Sequence, residues 1–287
     1  MNDLLLLHDK VQQQLQQLVS SMPHAIIVHG PEQIGKKSAI QSVIAKRHKD
    51  ERDKIIAKNW SQLLVIDTPK DRKSISIEQI RELNQSLTLT DETARYVIID
   101  DAHSMTLPAQ NAFLKNFEQP QQNVHIVMIT HQLNKLIPTI RSRAQLLRFQ
   151  PPGRDQLNQW AQHMFGDKYD KSLVHVSEGS PGRLKQLLDD GKRSTQTLDE
   201  IQLARDILSA SVVGRLAKIS SLKSDRAKSE RIISHLKVMT KGAMRSVDNP
   251  SAISSWALKA QRCDQALTAL NRNANARLVW LQLMVNL

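Results

Sequence analysis

Short apolar runs alternate with amphipathic stretches in the first half of the chain. Runs of four to six apolar residues are typical of buried parallel strands, and we predict strands at 25–28, 63–66, 96–99 and 124–129. A glycine-containing turn follows the first run, and apolar positions then recur at helical spacing from 38 to 47. This alternation predicts a doubly wound α/β core, with helices on both faces of a parallel sheet.

The run Pro151-Pro152-Gly153 ends the alternation, because proline neither continues a helix nor pairs within a central strand. Beyond it the pattern is helical, with a break at 179–182. Apolar residues recur at helical spacing near the C-terminus, which indicates amphipathic helices whose apolar faces form either core or a subunit interface; they are Leu267, Leu270, Leu278, Leu281 and Met284. We therefore predict an α/β domain at 1–150, a small helical lid at 151–192 and a C-terminal helical domain at 193–287.

Cysteine content and apolar run length exclude several classes of protein. Cys263 is the single cysteine, which excludes an internal disulfide and a thiolate zinc cluster. The ten histidines follow no metal-ligand spacing, so we predict no metal site. No apolar run approaches the roughly 20 residues that cross a bilayer, and we predict a cytoplasmic protein without membrane contact.

The positive charge is concentrated in the last third of the chain. Residues 191–287 carry +9 of the formal net charge of +12. Such a balance favours contact with an acidic partner such as DNA, and it equally fits a set of solvated helix faces. Charge alone leaves both interpretations open.

The turn after the first predicted strand has the spacing of a phosphate-binding loop. Gly30, Gly35 and Lys36 stand where backbone N–H groups and an ammonium would surround a phosphate. The position after Lys36 normally holds a Ser or Thr hydroxyl that binds Mg²⁺, but Lys37 stands there. Ser38 comes one residue late, and about 100° of helical rotation should turn it away from the metal position. We predict a degenerate nucleotide site.

The third predicted strand ends in Asp100 and Asp101. Paired carboxylates at this place are typical of an acidic motif that holds Mg²⁺ and aligns water. In active ATPases with such a motif the second acid is usually Glu. Asp101 is one methylene shorter, so it reaches less far toward an attacking water. An apolar strand that simply terminates in two acids is the alternative interpretation.

Further segments extend the pattern beyond the loop and the acid pair. They are DDAHSMT at 100–106, NAFLKNFEQP at 111–120, PTIRSRA at 138–144 and NRNANARL at 271–278. These segments resemble the D-D-A-x-x-M-T run, the N-A-L-L-K-x-L-E-E-P run, the T-I-R-S-R-C motif and the N-x-N-x-x-L closing segment of clamp-loader subunits of the AAA+ class. The match spans the chain.

A degraded loop beside a retained T-I-R-S-R segment resembles the delta-prime type of clamp-loader subunit in bacterial DNA polymerase III. The resemblance implies an AAA+ α/β core (a doubly wound parallel sheet), a small helical lid and an all-α collar domain for oligomerisation at 193–287. That family commonly inserts a four-cysteine zinc module between the loop and the acidic strand, and here this interval contains no cysteine.

The resemblance also assigns roles to three further residues. It implies that Arg143 is an arginine finger acting in trans on ATP held by a neighbouring subunit, with a surface ion pair as the alternative. It places Thr130 at the sensor-one position. It places Arg183 at the sensor-two position, where a structural remnant is the alternative.

The function implied is that of a subunit without ATP hydrolysis of its own. We expect a hetero-oligomer with other clamp-loader subunits, and contact with the sliding clamp and primed DNA through that complex. We expect no stably bound cofactor, while binding of ATP with Mg²⁺ stays open. The alternatives are an ATP-hydrolysing motor subunit or helicase loader in which Ser38 or water replaces the missing hydroxyl, and a basic DNA-binding protein.

Overall fold

The structure is a computed structural model, and it describes residues 6–69, 74–87, 93–119, 121–166, 173–174, 177, 179–189, 191–218 and 225–287. Contacts between Cα atoms divide the chain into two compact units. The first unit contains Met1–Leu157 and Ser180–Gly182, and the second contains Asn158–Gly179 and Arg183–Leu287. The separate lid and collar domains predicted from the sequence stay a prediction.

The strands and helices of the first unit follow the alternating order expected from the sequence. The strands are β1 (Ala25–His29), β2 (Leu63–Ile66), β3 (Arg95–Ile99), β4 (Val124–Thr130) and β5 (Gln145–Arg148). The helices are α1 (Asp9–Ser20), α2 (Lys36–Arg47), α3 (Arg52–Ile56), α4 (Ile77–Leu87), α5 (Leu107–Phe113), α6 (Lys115–Glu118), α7 (Pro138–Arg141) and α8 (Arg154–Phe165), whose last residues belong to the second unit.

All strand pairs of the sheet are parallel, in the order β2-β3-β4-β1-β5. Successive side chains of a strand face opposite sides, which separates the core into two layers. Ile26 and Val28 pack in one layer with helices α1 and α2, and Ile27 packs in the other with helices α4 and α5. The doubly wound α/β core is confirmed.

The sequence prediction missed strand β5. This strand lies at the edge of the sheet, pairs only with β1 among the described strands, and buries Leu147 while Leu146 stays 47% exposed. The outer strands β2 and β5 both have four residues, but β2 reads Leu-Leu-Val-Ile whereas β5 reads Gln-Leu-Leu-Arg. Strand β5 was missed because polar residues at both of its ends leave no continuous apolar run.

The second unit is helical wherever the structure describes regular structure in it. Its helices are α9 (Pro181–Asp189, which begins in the first unit), α10 (Gly191–Ser209), α11 (Val212–Lys218), α12 (Arg226–Arg245), α13 (Pro250–Asn271) and α14 (Ala276–Asn286). Trp280 is fully buried, and its indole N–H donates to the Ser229 hydroxyl at 2.9 Å. The predicted all-α character of this region is confirmed.

The apolar residues at helical spacing near the C-terminus are only partly core. Leu270 and Met284 are fully buried, whereas Leu278 and Leu281 are 65% and 37% exposed. The buried members are core, whereas helix α14 presents Leu278 and Leu281 to solvent, and the subunit-interface interpretation of those two stays a prediction. Among the described helices, none combines the length and apolarity that a membrane crossing requires.

Candidate nucleotide cleft and arginine turn

The carboxyl ends of three neighbouring strands bring the predicted loop and acids together. In the order of the sheet, β3, β4 and β1 end at Ile99, Thr130 and His29, and parallel strands end on the same edge. The residues that follow are therefore the acid pair, His131 and the loop that begins at Gly30. Ligands of open parallel sheets bind at this edge.

Backbone geometry explains why glycine occupies both positions of the loop. Gly30 lies against β5, where an added Cβ would stand 2.3 Å from the Phe149 carbonyl oxygen, so only glycine fits. Gly35 has φ 83° and ψ 20°, the left-handed conformation, immediately before helix α2. The chain thus turns from β1 into α2 as the sequence predicts for a phosphate-binding loop.

The Lys36 side chain folds back onto its own loop. Its ammonium donates to the carbonyl oxygens of Gly30 at 3.0 Å and Pro31 at 2.5 Å, and the residue is only 8% exposed. Burial lowers the pKa of Lys36 below its usual value, although Asp100 and Asp101 nearby oppose the shift.

The Lys37 ammonium forms ion pairs with two carboxylates. Its Nζ lies 2.5 Å from Asp67 Oδ1 and 2.9 Å from Asp100 Oδ2. Burial by itself would lower the pKa of Lys37, but the hydrogen bonds to Asp67 and Asp100 outweigh it and raise the pKa above its usual value. An ammonium therefore neutralises the carboxylate expected to hold Mg²⁺, so the residues present do not fit a Mg²⁺ ion at Asp100.

Ser38 lies along the same cleft, whose volume is about 400 Å³. The cleft is lined by residues of the loop, by Ser38, by the acid pair, and by Ile129 and His131. The contact with Asp100 is made by Lys37, the residue that replaces the usual hydroxyl.

The second acid turns toward two histidines. Asp101 has φ 48° and ψ 44° and begins a short 3-10 helix, Ala102–Ser104, that carries His103. Asp101 Oδ1 lies 3.9 Å from His131 Nδ1, and His131 Nε2 lies 2.8 Å from Glu32 Oε1. Burial lowers the pKa of His103, and His131 beside it lowers that pKa further. No local sequence pattern indicates these histidines, because they are 28 positions apart and meet only where β3 and β4 pair.

Residues 180–182 hold the loop from the other side within the first unit. The Ser180 hydroxyl donates to the carbonyl oxygens of Gln33 at 2.8 Å and Glu32 at 3.1 Å. The Gly182 N–H donates to the Gln33 carbonyl at 2.9 Å, and a Cβ at Gly182 would stand 2.5 Å from that oxygen. The glycine-rich break predicted at 179–182 is thus a contact with the loop.

Thr130 is fully buried, and its hydroxyl accepts a hydrogen bond from the Gln132 N–H at 3.0 Å. Its carbonyl accepts from the Gly30 N–H at 3.3 Å. Both contacts stabilise the turns that follow β4 and β1. The sensor-one role implied for Thr130 stays a prediction.

Arg143 follows helix α7 and is exposed. Its Nη1 donates to the Thr139 carbonyl at 3.2 Å, and its Nη2 lies 3.5 Å from Glu118 Oε1. The exposed fractions of the two side chains are 41% for Arg143 and 54% for Glu118. Arg183 lies in the first turn of helix α9, in the second unit. The roles assigned to Arg143 and Arg183 also stay predictions.

The four-cysteine module that is common in the resembled family cannot form in this chain. Cys263 lies buried in the helical unit, and burial raises the pKa of its thiol to about 12. A thiol that is protonated at neutral pH is a poor metal ligand.

The parallel sheet, the loop between β1 and α2 and the acids after β3 define a core of the AAA+ class. The model of the family described as "DNA polymerase III, delta subunit" matches residues 7–153, which is half of the chain. The chain belongs to this family, and the resemblance to a clamp-loader subunit is confirmed at that level.

Curated relatives have names from both bacterial and eukaryotic replication. The chain is 25% identical over 187 residues to "DNA polymerase III subunit delta'" of Pseudomonas aeruginosa, covering 59% of this chain and 57% of that protein. It is 24% identical over 196 residues to "Replication factor C subunit 3" of Saccharomyces cerevisiae, covering 65% and 55%. The chain therefore spans about half the length of the curated relatives it matches.

Solved structures resemble the chain at low identity. A DNA polymerase III gamma subunit-related protein of Thermotoga maritima matches with a TM-score of 0.48 and 19% identity, covering 96% of this chain and 97% of that one.

Proposed function

We propose that this chain is a delta-prime-like subunit of a DNA polymerase III clamp loader. In this proposal it hydrolyses no ATP, assembles with ATP-hydrolysing subunits and completes a neighbour's active site with Arg143. The assembled complex then loads the sliding clamp on primed DNA. Family membership and the retained T-I-R-S-R segment at 139–143 support this proposal.

The observation that carries the proposal is the placement of Lys37. Its ammonium bridges Asp67 and Asp100, where a catalytic subunit needs a hydroxyl and a free carboxylate for Mg²⁺. Mg²⁺ bridges the β- and γ-phosphate oxygens and neutralises charge as the phosphoryl group transfers, so a site that excludes it loses most of its catalytic power. This argues against the motor-subunit alternative.

Arg143 is suited to act on another subunit because its charge is only weakly engaged. One backbone carbonyl and one exposed carboxylate contact the guanidinium, and both contacts are long. A planar, permanently charged guanidinium can exchange them for a phosphate, which it contacts with two parallel hydrogen bonds.

The DNA contact predicted for the basic last third depends on surface charges that are only partly available. Arg226 donates to Asn273 Oδ1, to the Leu270 carbonyl and to Glu230 Oε1 at 3.0 Å, so its guanidinium is engaged within the chain. Lys223, another cation of this region, lies outside the described residues. DNA contact through the complex stays part of the proposal, and these internal contacts do not favour a free-standing DNA-binding protein.

Two measurements test the proposal. The purified chain should show no ATP turnover above background, whereas Mg²⁺-dependent turnover of order one per second that is lost in Lys36→Ala would make it an active ATPase. Tagged chain purified from its own host should bring down ATPase subunits of the DNA polymerase III family, identified by mass spectrometry in fixed ratio. Recovery of the chain alone at physiological salt would contradict the assembly proposal.

A further inference from the structure

The two histidines beside the second acid form a cluster that the proposed function does not use. Asp101, His103 and His131 each offer one ligand atom, and these three atoms all lie within 4.8 Å of one another. The imidazole rings of His103 and His131 have centroids 4.0 Å apart at an interplanar angle of 67°. Two imidazoles and a carboxylate that converge in this way are the donor set that zinc and similar divalent ions prefer.

The second observation is an unsatisfied nitrogen. His103 Nδ1 is buried and has no hydrogen-bond partner among the described residues. A buried polar atom without a partner costs roughly 1–3 kcal/mol, so such an atom in a native protein is expected to bind an ordered water or an ion. This nitrogen therefore lies in the same cluster, because the His103 ring contacts the His131 ring beside Asp101.

Contacts around His131 orient its ring so that Nδ1 can bind a metal ion. Its Nε2 lies 2.8 Å from Glu32 Oε1, so Nε2–H donates to a carboxylate and leaves the Nδ1 lone pair toward Asp101. The Gln132 amide nitrogen is placed 2.7 Å from the same Nε2, and an exchange of the amide oxygen and nitrogen lets the oxygen share the Nε2 proton with Glu32. A carboxylate that holds the second ring nitrogen of a metal-bound histidine is the usual outer partner at zinc sites.

We propose that Asp101, His103 and His131 bind one divalent transition-metal ion of the zinc type, with Glu32 as the outer partner of His131. Bond lengths of about 2.0–2.2 Å place tetrahedral ligand atoms about 3.4 Å apart, so separations of up to 4.8 Å must close by at most about 1.4 Å. Side-chain rotation covers this distance, because Asp101 is exposed and the histidines are only partly buried. Water fills the remaining coordination.

This proposal is independent of the clamp-loader assignment, since it concerns metal binding by the isolated chain. The site joins the carboxyl ends of β3 and β4, whereas Lys37 already neutralises Asp100. The sequence pattern suggested that Asp100 and Asp101 form one Mg²⁺ motif. In this proposal Asp100 pairs with the Lys37 ammonium, whereas Asp101 binds the metal ion. Hard ions such as Mg²⁺ prefer oxygen ligands, so the proposed site should not retain Mg²⁺.

The test is titration of tag-free, chelator-treated protein with Zn²⁺ by calorimetry and with Co²⁺ by visible absorption. We expect one ion per chain and a Co²⁺ spectrum of nitrogen and oxygen coordination. Asp101→Asn and His131→Ala should each weaken Zn²⁺ binding by more than about 100-fold, and Glu32→Gln by about 10- to 100-fold. The matched control His163→Ala removes an exposed histidine of helix α8 and should leave the affinity unchanged.

Imidazole nitrogen resonances give a readout that does not depend on a variant remaining folded. In chain labelled with ¹⁵N-histidine, Zn²⁺ should shift the ring resonances of His103 and His131 and leave those of His163 and His235 in place. Binding weaker than about 0.1 mM, or equal affinity in Asp101→Asn and the unaltered chain, would overturn the proposal. Shifts confined to other histidines would do the same.

Discussion

The nucleotide cleft and the turn that carries Arg143 lie in the same α/β unit, and they hold their positive charges in opposite ways. In the cleft, Lys36 is bound by two loop carbonyls and Lys37 by two carboxylates at 2.5 and 2.9 Å. At the turn, Arg143 is 41% exposed and its single described ion pair, with Glu118, has a length of 3.5 Å. In the cleft, carboxylates of the same chain neutralise Lys37. At the turn, the guanidinium of Arg143 stays accessible to another molecule.

The two sets of contacts differ in how much free energy is needed to break them. An exposed ion pair such as that of Arg143 with Glu118 contributes roughly 0–1 kcal/mol, so a phosphate can displace the carboxylate at little cost. Displacing Lys37 from Asp100 would leave a partly buried ammonium and two carboxylates to be solvated again. Motif residues retained in one chain can therefore have different uses, and local pairing indicates which residues remain available to a partner.

The largest expected effect concerns Arg143. In the assembled complex, Arg143→Ala should reduce ATP hydrolysis at the neighbouring site about 10³- to 10⁵-fold, because the transition-state charge loses its cation. Arg143→Lys should retain little of that hydrolysis, since an ammonium lacks the planar pair of N–H donors with which a guanidinium contacts a phosphate. DNA- and clamp-stimulated turnover of the reconstituted complex is the measurement, with ATP binding by the partners determined alongside.

Two controls accompany that measurement. Arg81→Ala removes an exposed arginine of helix α4 and should leave turnover unchanged, and Lys36→Ala should have a much smaller effect than Arg143→Ala. If the Arg143→Ala complex hydrolyses ATP and loads clamps at the unaltered rate, Arg143 is a structural residue of the turn at 139–144.

Gly182→Ala tests how firmly the cleft is fixed. The new Cβ would stand 2.5 Å from the Gln33 carbonyl oxygen, so the loop or residues 180–182 must shift. Overpacking of this kind costs about 1–3 kcal/mol, and the urea midpoint should fall accordingly. Gly242→Ala on helix α12 is the matched control, because its Cβ meets nothing within 4 Å, and it should be neutral or stabilising. Equal midpoints for the two variants would show that the loop is not held there.

Lys37→Thr should open the cleft to metal. Removing the ammonium frees Asp100 and supplies the hydroxyl that a Mg²⁺ site needs, so Mg²⁺ should tighten ATP binding at least about tenfold, or 1.4 kcal/mol. The measurement is the ATP dissociation constant with and without Mg²⁺. Lys46→Thr, an exposed lysine of the same helix, should show no such gain. ATP affinity of Lys37→Thr that ignores Mg²⁺ would mean that Lys37 is not what excludes the metal.

The smallest effect is expected for Glu118→Gln. Loss of an exposed ion pair at 3.5 Å should change the free energy of unfolding by about 0.5 kcal/mol or less, and complex turnover should stay within about twofold. Chemical denaturation and the same turnover assay measure both. A loss as large as that of Arg143→Ala would show that Glu118 positions the arginine, and the turn would then be as constrained as the cleft.

Sequence patterns predicted the four strands with continuous apolar runs to within a residue or two at each end. They also predicted the loop, because the order of strand, glycine turn and helix is local. They missed β5, whose single buried leucine gives no periodic pattern. They left open whether Leu278 and Leu281 belong to the core or to a subunit interface, since helical spacing shows that residues share a face but not what covers that face.

Residue identity and local pattern are sufficient to predict the α/β alternation, the substitution of Lys37 for the metal hydroxyl, the absence of a four-cysteine module and the family of the chain. Each of these depends on residue identity or on neighbours within about ten positions. Folding brings Lys37 to both Asp67 and Asp100, Asp101 to His131, and Gly182 to Gln33, and no local pattern predicts these contacts. Those contacts join residues 30 to 149 positions apart, and only the pairing of parallel strands and the packing of the chain on their carboxyl ends bring them within hydrogen-bonding or ionic range.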